Sequence, residues 1–198
     1  EIAGYYIFGG TDAITDPVAA LDAIMDGAGG LDGLRTYLSE YQEANLGASD
    51  NGRLTISPLT TNYAGLVPTD STFTIAEDGA HDFGFDISSV TSTLTNAALT
   101  GPLGADPDSF DVQFTGQPNL GDSITVELTL PPAHTETVSI ELTAASTSEV
   151  EGTFAIGADL EETAQNLLTA LTAEIENHAQ TTLRAVSDEW ASDEFFAT

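Results

Sequence analysis

A chain of 198 residues with no cysteine and 41% hydrophobic content is expected to fold as one medium domain or two small lobes, without disulfides, thiolate nucleophiles or cysteine metal sites. Its 32 Asp plus Glu against 3 Lys plus Arg give a net charge of −29, and the only cations, Arg35, Arg53 and Arg184, leave no surface with which to neutralise phosphates. Nucleic-acid binding and docking on anionic membranes are thereby excluded; no apolar run approaches the roughly 18 residues of a membrane span, and the first residues lack the pattern of a secretory signal.

In chain order, Glu1–Thr11 holds an aromatic and β-branched run closed by Gly9 and Gly10, which reads as a short extended piece ending in a turn. Asp16-Pro17 starts a helix with the stripe Val18, Leu21, Ile24 and Met25, ended by Gly27, Gly29 and Gly30. Asp32 is expected to cap a second helix through Leu34, Leu38 and Tyr41, stopped by Gly47. The turn signal Asn51-Gly52 precedes three short β-like runs at 53–57, 71–76 and 83–88. Residues 88–107, rich in Ser, Thr, Ala, Gly and Pro, suit a linker between lobes, with a β meander of small residues as the alternative.

Phe110, Val112 and Phe114 alternate with Asp111 and Gln113 and lead into the clearest unit of the chain. Ile124, Val126, Leu128 and Leu130, then Val138, Ile140 and Leu142, alternate with polar residues on either side of a turn at Pro131–His134, the period-two signature of a hairpin. All these inward residues are even-numbered, so the register must pair even with even. A three-residue loop then sets Leu128 against Val138, Val126 against Ile140 and Ile124 against Leu142. A further strand is expected at Gly152–Ile156. Asp159 and Glu162 make a capping box for a helix whose apolar face is Leu160, Ala164, Leu167, Leu168, Leu171 and Ile175. Thr181–Ser187 reads as one more strand, and Trp190, Phe195 and Phe196 are aromatic enough to need a partner. The fold class expected is α+β: an antiparallel β-sheet covered on one face by an amphipathic helix, with two short N-terminal helices. Residues 1–105 would form an N-terminal lobe of short helices and strands and 106–198 a hairpin and helix lobe, or the two one continuous domain.

Chemistry is harder to find. His81, His134 and His178 fall in or beside turns and at a helix end, without ligand spacing and without an identifiable nucleophile to serve. His178 is accounted for by the dipole at a helix C-terminus. Asp106, Asp108 and Asp111 in one loop, and Asp78 and Asp82 in another, offer hard oxygen donors to calcium, but neither loop follows the twelve-residue calcium-binding pattern. Glycines are not arranged as a phosphate loop. No catalytic, cofactor-binding or metal-binding residues are therefore assigned, and no cofactor is expected.

The segment Gly4-Tyr5-Tyr6-Ile7-Phe8-Gly9-Gly10-Thr11-Asp12 resembles the one with which flagellar hook-filament junction proteins of the flagellin family leave their first long helical domain. Gly33-Leu34-Arg35 through Asn45-Leu46-Gly47, Gly52-Arg53-Leu54-Thr55, Ala76-Glu77-Asp78 with Phe83-Gly84-Phe85, Gly121-Asp122-Ser123-Ile124-Thr125 and Thr153-Phe154-Ala155-Ile156-Gly157 are similar to that family's variable region. The long terminal coiled-coil helices that polymerise such proteins are absent from this chain. The resemblance therefore implies an extracellular, non-catalytic outer domain of a flagellar junction protein, exported through the flagellar channel and monomeric in isolation. Hook protein and flagellin would be partners only of the parent assembly, through the missing helices. A flagellin outer domain is the nearest alternative, and a calcium-dependent extracellular adhesion module the alternative from another class, with a secreted hydrolase behind both.

Overall fold

The computed structural model describes residues 17–28, 31–46, 51–102, 104–105, 107–131 and 135–197. The expectations placed on the opening segment and on the Gly47 stop lie outside these residues, whereas the ladder of the hairpin closes at Leu130 and Glu136, so that five residues and not the three expected connect its arms. Helix α1 (Pro17–Asp26) and helix α2 (Leu34–Leu46) form where the apolar stripes predict them, joined by the two-residue strands β1 (Gly27–Ala28) and β2 (Leu31–Asp32). The cap of α2 falls one residue later than expected: Asp32 pairs with Gly27, and the carbonyl of Gly33 accepts the first helical N–H, from Tyr37 at 3.1 Å. Only glycine fits there, because a Cβ on Gly33 would lie 2.3 Å from the backbone nitrogen of Gly27.

Two sheets follow. The first contains β3 (Leu54–Ile56), β4 (Thr60–Ala64), β5 (Val67–Glu77), β7 (Ala97–Thr100) and β8 (Ser109–Phe114), in the order β3-β5-β8-β7 with β4 also paired to β5. The second is ordered β11-β10-β9-β6, from β6 (Asp86–Ser92), β9 (Ser123–Leu130), β10 (Glu136–Ala145) and β11 (Thr153–Ala155). Every pair is antiparallel except β10 with β11. A boundary at residue 105 would cut both sheets, since β5 pairs with β8 and β6 with β9. The stretch 88–107 is accordingly no linker: it holds the end of β6 and all of β7, the meander of small residues.

The hairpin has the register that side-chain parity requires, Leu128 opposite Val138, Val126 opposite Ile140 and Ile124 opposite Leu142. Its inward residues are buried, whereas Ser139 and Glu141 on the other face are exposed and Thr125 and Glu127 half-buried. Strand β6 presents a parity problem of its own, because Ile87 and Val90 are three apart and a regular strand would send them to opposite faces. A bulge at Ser88 removes it, setting Ile87 against Leu128 and Val90 against Val126 so that both reach the core.

Helix α3 (Leu160–His178) begins at Asp159, whose carboxylate accepts the N–H of Glu162 at 2.9 Å. Glu162 reaches back one residue further than a capping box requires, accepting from the N–H of Ala158 at 2.6 Å. The helix covers the hairpin sheet through β10 and β11 and also packs on β5 and β8 of the other sheet. Leu167, Leu168, Leu171 and Ile175 thus enter one core shared by both sheets, together with Phe73, Phe110, Phe114 and Phe154.

The strand expected at Thr181–Ser187 is instead helical: a π-helical turn over Ala179–Leu183 runs straight into α4 (Arg184–Ala197). No glycine or proline stops α3, and continuing a helix is easier than nucleating a strand beside it. Leu167, Leu171, Ile175, Ala179, Leu183 and Ser187 are all buried. This four-residue spacing runs ahead of the 3.6-residue α-turn, and one wider turn keeps the row on the same side. His178 consequently lies within a continuous helical path and not at an exposed C-terminus, so the dipole account of it does not apply.

Candidate functional site

Unusual chemistry concentrates where α2, α4 and the loop between β5 and β6 meet. Asn51–Leu54 is a tight turn closed by the N–H of Leu54 on the carbonyl of Asn51 at 3.2 Å, with both central residues at positive φ, Gly52 at 60° and Arg53 at 69°. The turn is held from the far side by Phe85, which donates its N–H to Gly52, and by Asp78, which donates to the carbonyl of Arg53, both at 3.0 Å. Arg53 in return donates from Nε to Asp78 Oδ1 at 3.1 Å.

Behind that ion pair lies His81, its side chain 1% exposed and Nε2 3.3 Å from Asp78 Oδ1. The contact lacks hydrogen-bond alignment, and neither ring nitrogen has a partner. Burial and the Arg53 guanidinium hold the imidazole below its ordinary pKa, against the opposing pull of Asp78, Asp86 and Glu40. Two residues on, Phe83 is fully buried, with its ring 4.4 Å from Trp190 and edge-on to Tyr37 at 5.4 Å and Tyr41 at 6.0 Å between centroids. Trp190 therefore has the partner its aromaticity called for; the side chains of Phe195 and Phe196 lie outside the described residues. Tyr41 donates to Asp188, and that bond raises the phenol pKa.

The His81 ring has almost no exposure, and among the described residues no hydroxyl is bonded to either of its nitrogens. Of the other histidines, His178 approaches Thr182 Oγ1 with Nδ1 at 3.4 Å, and His134 lies outside the described residues.

The acidic loops are occupied by protein donors. Asp108 is buried, with Oδ2 accepting the N–H of Gly104 and Oδ1 that of Ser109, each at 2.8 Å. Asp111 accepts from the hydroxyl of Thr74 at 2.6 Å on the outer face of the β5–β8 pair. Asp78 is engaged by Arg53, Asp82 is exposed, and Asp106 lies outside the described residues. Among the described residues no three acidic or histidine side chains converge as a metal would require.

Glu77, which the residue pattern did not single out, is the most consequential polar group. It ends β5 at an inward position, its Oε1 accepting the N–H of Ile87 in the second sheet and its Oε2 that of Asp108, both at 2.6 Å. The available signal was an acid continuing the buried alternation of Phe73 and Ile75. An open groove of about 620 Å³ runs between Ile56, Ser57 and Pro58 and the α3 residues Leu168, Thr172 and Glu176. The hydroxyl of Ser57 at its edge is already engaged, accepting the N–H of Thr74 at 2.8 Å.

No protein-family model matches this chain, and neither a curated protein nor a solved structure does.

Proposed function

We propose that this chain is the structural, non-catalytic outer domain of a flagellar hook-filament junction protein, displayed outside the cell with hook protein and flagellin as partners of its parent assembly. The observation that carries this reading is the meeting of α2 and α4, the second and the last helices of the described chain, which pack through Tyr37, Tyr41, Phe83 and Trp190. A domain carried as an outgrowth on a helical stalk must leave and return at one place, and an early helix lying beside the last one suits that route. The single core spanning two sheets and α3 suits a rigid exposed body. Of the stretches that resemble the family, Gly52–Thr55 forms the tight turn and Gly121–Thr125 leads into β9.

Gold-labelled antibody against this chain, applied to flagella still attached to their hooks, tests the reading. Label confined to the hook-filament boundary is expected. Label along the whole filament would assign the chain to flagellin instead, and unlabelled flagella would overturn both.

A further inference from the structure

We propose that His81 is an acid-sensitive latch, whose protonation frees the loop between β5 and β6 and, through Phe83, loosens the packing of α2 against α4. The ring is sealed in, 1% exposed, and a Cβ on Gly84 would come within 2.7 Å of its Cε1, so backbone closes on it from three residues further along the chain. A neutral imidazole carries one N–H, whereas an imidazolium carries two and a charge. Nothing here receives them well: both ring nitrogens lack partners, and Asp78, the acid 3.3 Å from Nε2, already accepts from Arg53. The charged groups facing the ring are Arg53 from the tight turn, Asp78 from the end of β5, Asp86 from the start of β6 and Glu40 from α2. Burial and Arg53 outweigh the three acids, so the folded chain binds this proton less readily than the unfolded one.

With the folded value depressed, the contribution of His81 is intact above the unfolded value of about 6.5 and is lost as pH falls from there through the folded value. Relief comes by turning the ring out to water, which the loop can allow only by moving Asp82 and Phe83 with it. Phe83 is the centre of the aromatic cluster, so its displacement uncovers Trp190 and separates α2 from α4. The switch is thus a wedge removed from between two helices.

Trp190 is the one tryptophan of the chain and reports on the wedge directly. In the full chain, acidification from about pH 8 to about pH 5 should shift its emission reversibly to the red, with a midpoint below about 6.5. The shift should vanish in His81→Gln and persist in His134→Gln and His178→Gln. A flat wild-type titration, or a shift retained in His81→Gln, would overturn the proposal. Should His81→Gln fail to fold, the three histidine ring signals of the wild type can be followed by NMR and assigned by loss in the other two variants. His81 must then titrate below the ordinary histidine value and in step with the Trp190 indole signal; titration at or above that value overturns the latch.

Discussion

Glu77 shows how one misplaced-looking acid can join two sheets. Its carboxyl oxygens receive the buried backbone N–H groups of Ile87 and Asp108, one from each side. Glu77→Ala removes an acceptor from each of these buried donors and should destabilise by about 2–4 kcal/mol, measured by urea denaturation. Glu77→Gln retains one oxygen but points an amide NH₂ at the second donor, so it should fall between wild type and alanine. A loss below about 0.5 kcal/mol in the alanine variant would show that the sheets are not joined here. Asp122 makes a different point about charge. At −29, self-repulsion is expected to raise carboxyl pKa values on folding, yet Asp122 is held below the usual range by hydrogen bonds from the N–H groups of Thr95 and Asn119. A depressed folded value means that its contribution is present above the unfolded value of about 3.9 and lost as pH falls through the folded one. NMR titration should find the Asp122 carboxyl below its ordinary value; a midpoint at or above about 3.9 would refute the local account.

Helix α3 is the element on which both sheets depend, since it packs against β5 and β8 as well as β10 and β11. Leu168 is 7% exposed, and its neighbour Thr169 faces solvent. Burying Leu168 is worth roughly 2 kcal/mol, and an aspartate there would also place an unpaired charge in the core. Leu168→Asp should therefore destabilise by about 3 kcal/mol or more and Thr169→Asp by less than about 1, as read from paired denaturation curves. Equal effects would place this face of α3 outside the core. The sequence pattern located this helix, its cap and its buried face up to Ile175. It missed the continuation because Thr181, Thr182 and Val186 favour strands as isolated residues. The row Ala179, Leu183 and Ser187 prolongs the helical spacing and outweighs that local preference once α2 and the loop before β6 are there to cover it.

At the scale of the whole molecule, 32 acids on 198 residues with 3 arginines make the folded surface repel itself. Added salt shortens the range of that repulsion, to about 8 Å at physiological strength and about 3 Å at 1 M. The melting temperature should rise from low to molar NaCl at neutral pH, and an unchanged melting temperature would show that the charge is immaterial to stability. A rise produced by micromolar calcium but not by sodium would point instead to the adhesion module. The same repulsion predicts a monomer; a stable dimer at micromolar concentration in sedimentation would contradict it.

By itself the sequence determined the elements whose pattern is local. Even-numbered apolar residues on both arms of the β9–β10 hairpin permit one parity of register, and the helical stripe after Asp159 permits one buried face. Tertiary structure alone decided which distant strands pair, because a period-two run records that a face is covered and not by what. Hence β5 meets β8, β6 meets β9 through a bulge, and α3 serves both sheets, none of which a local repeat encodes. The same holds for Glu77 and His81: Glu77 is a sheet joint only because Ile87 and Asp108 bring their N–H groups to it, and His81 a buried ring without partners only because Arg53 has taken Asp78. A side chain's chemistry is written in its own residue, but its environment is supplied by others far along the chain.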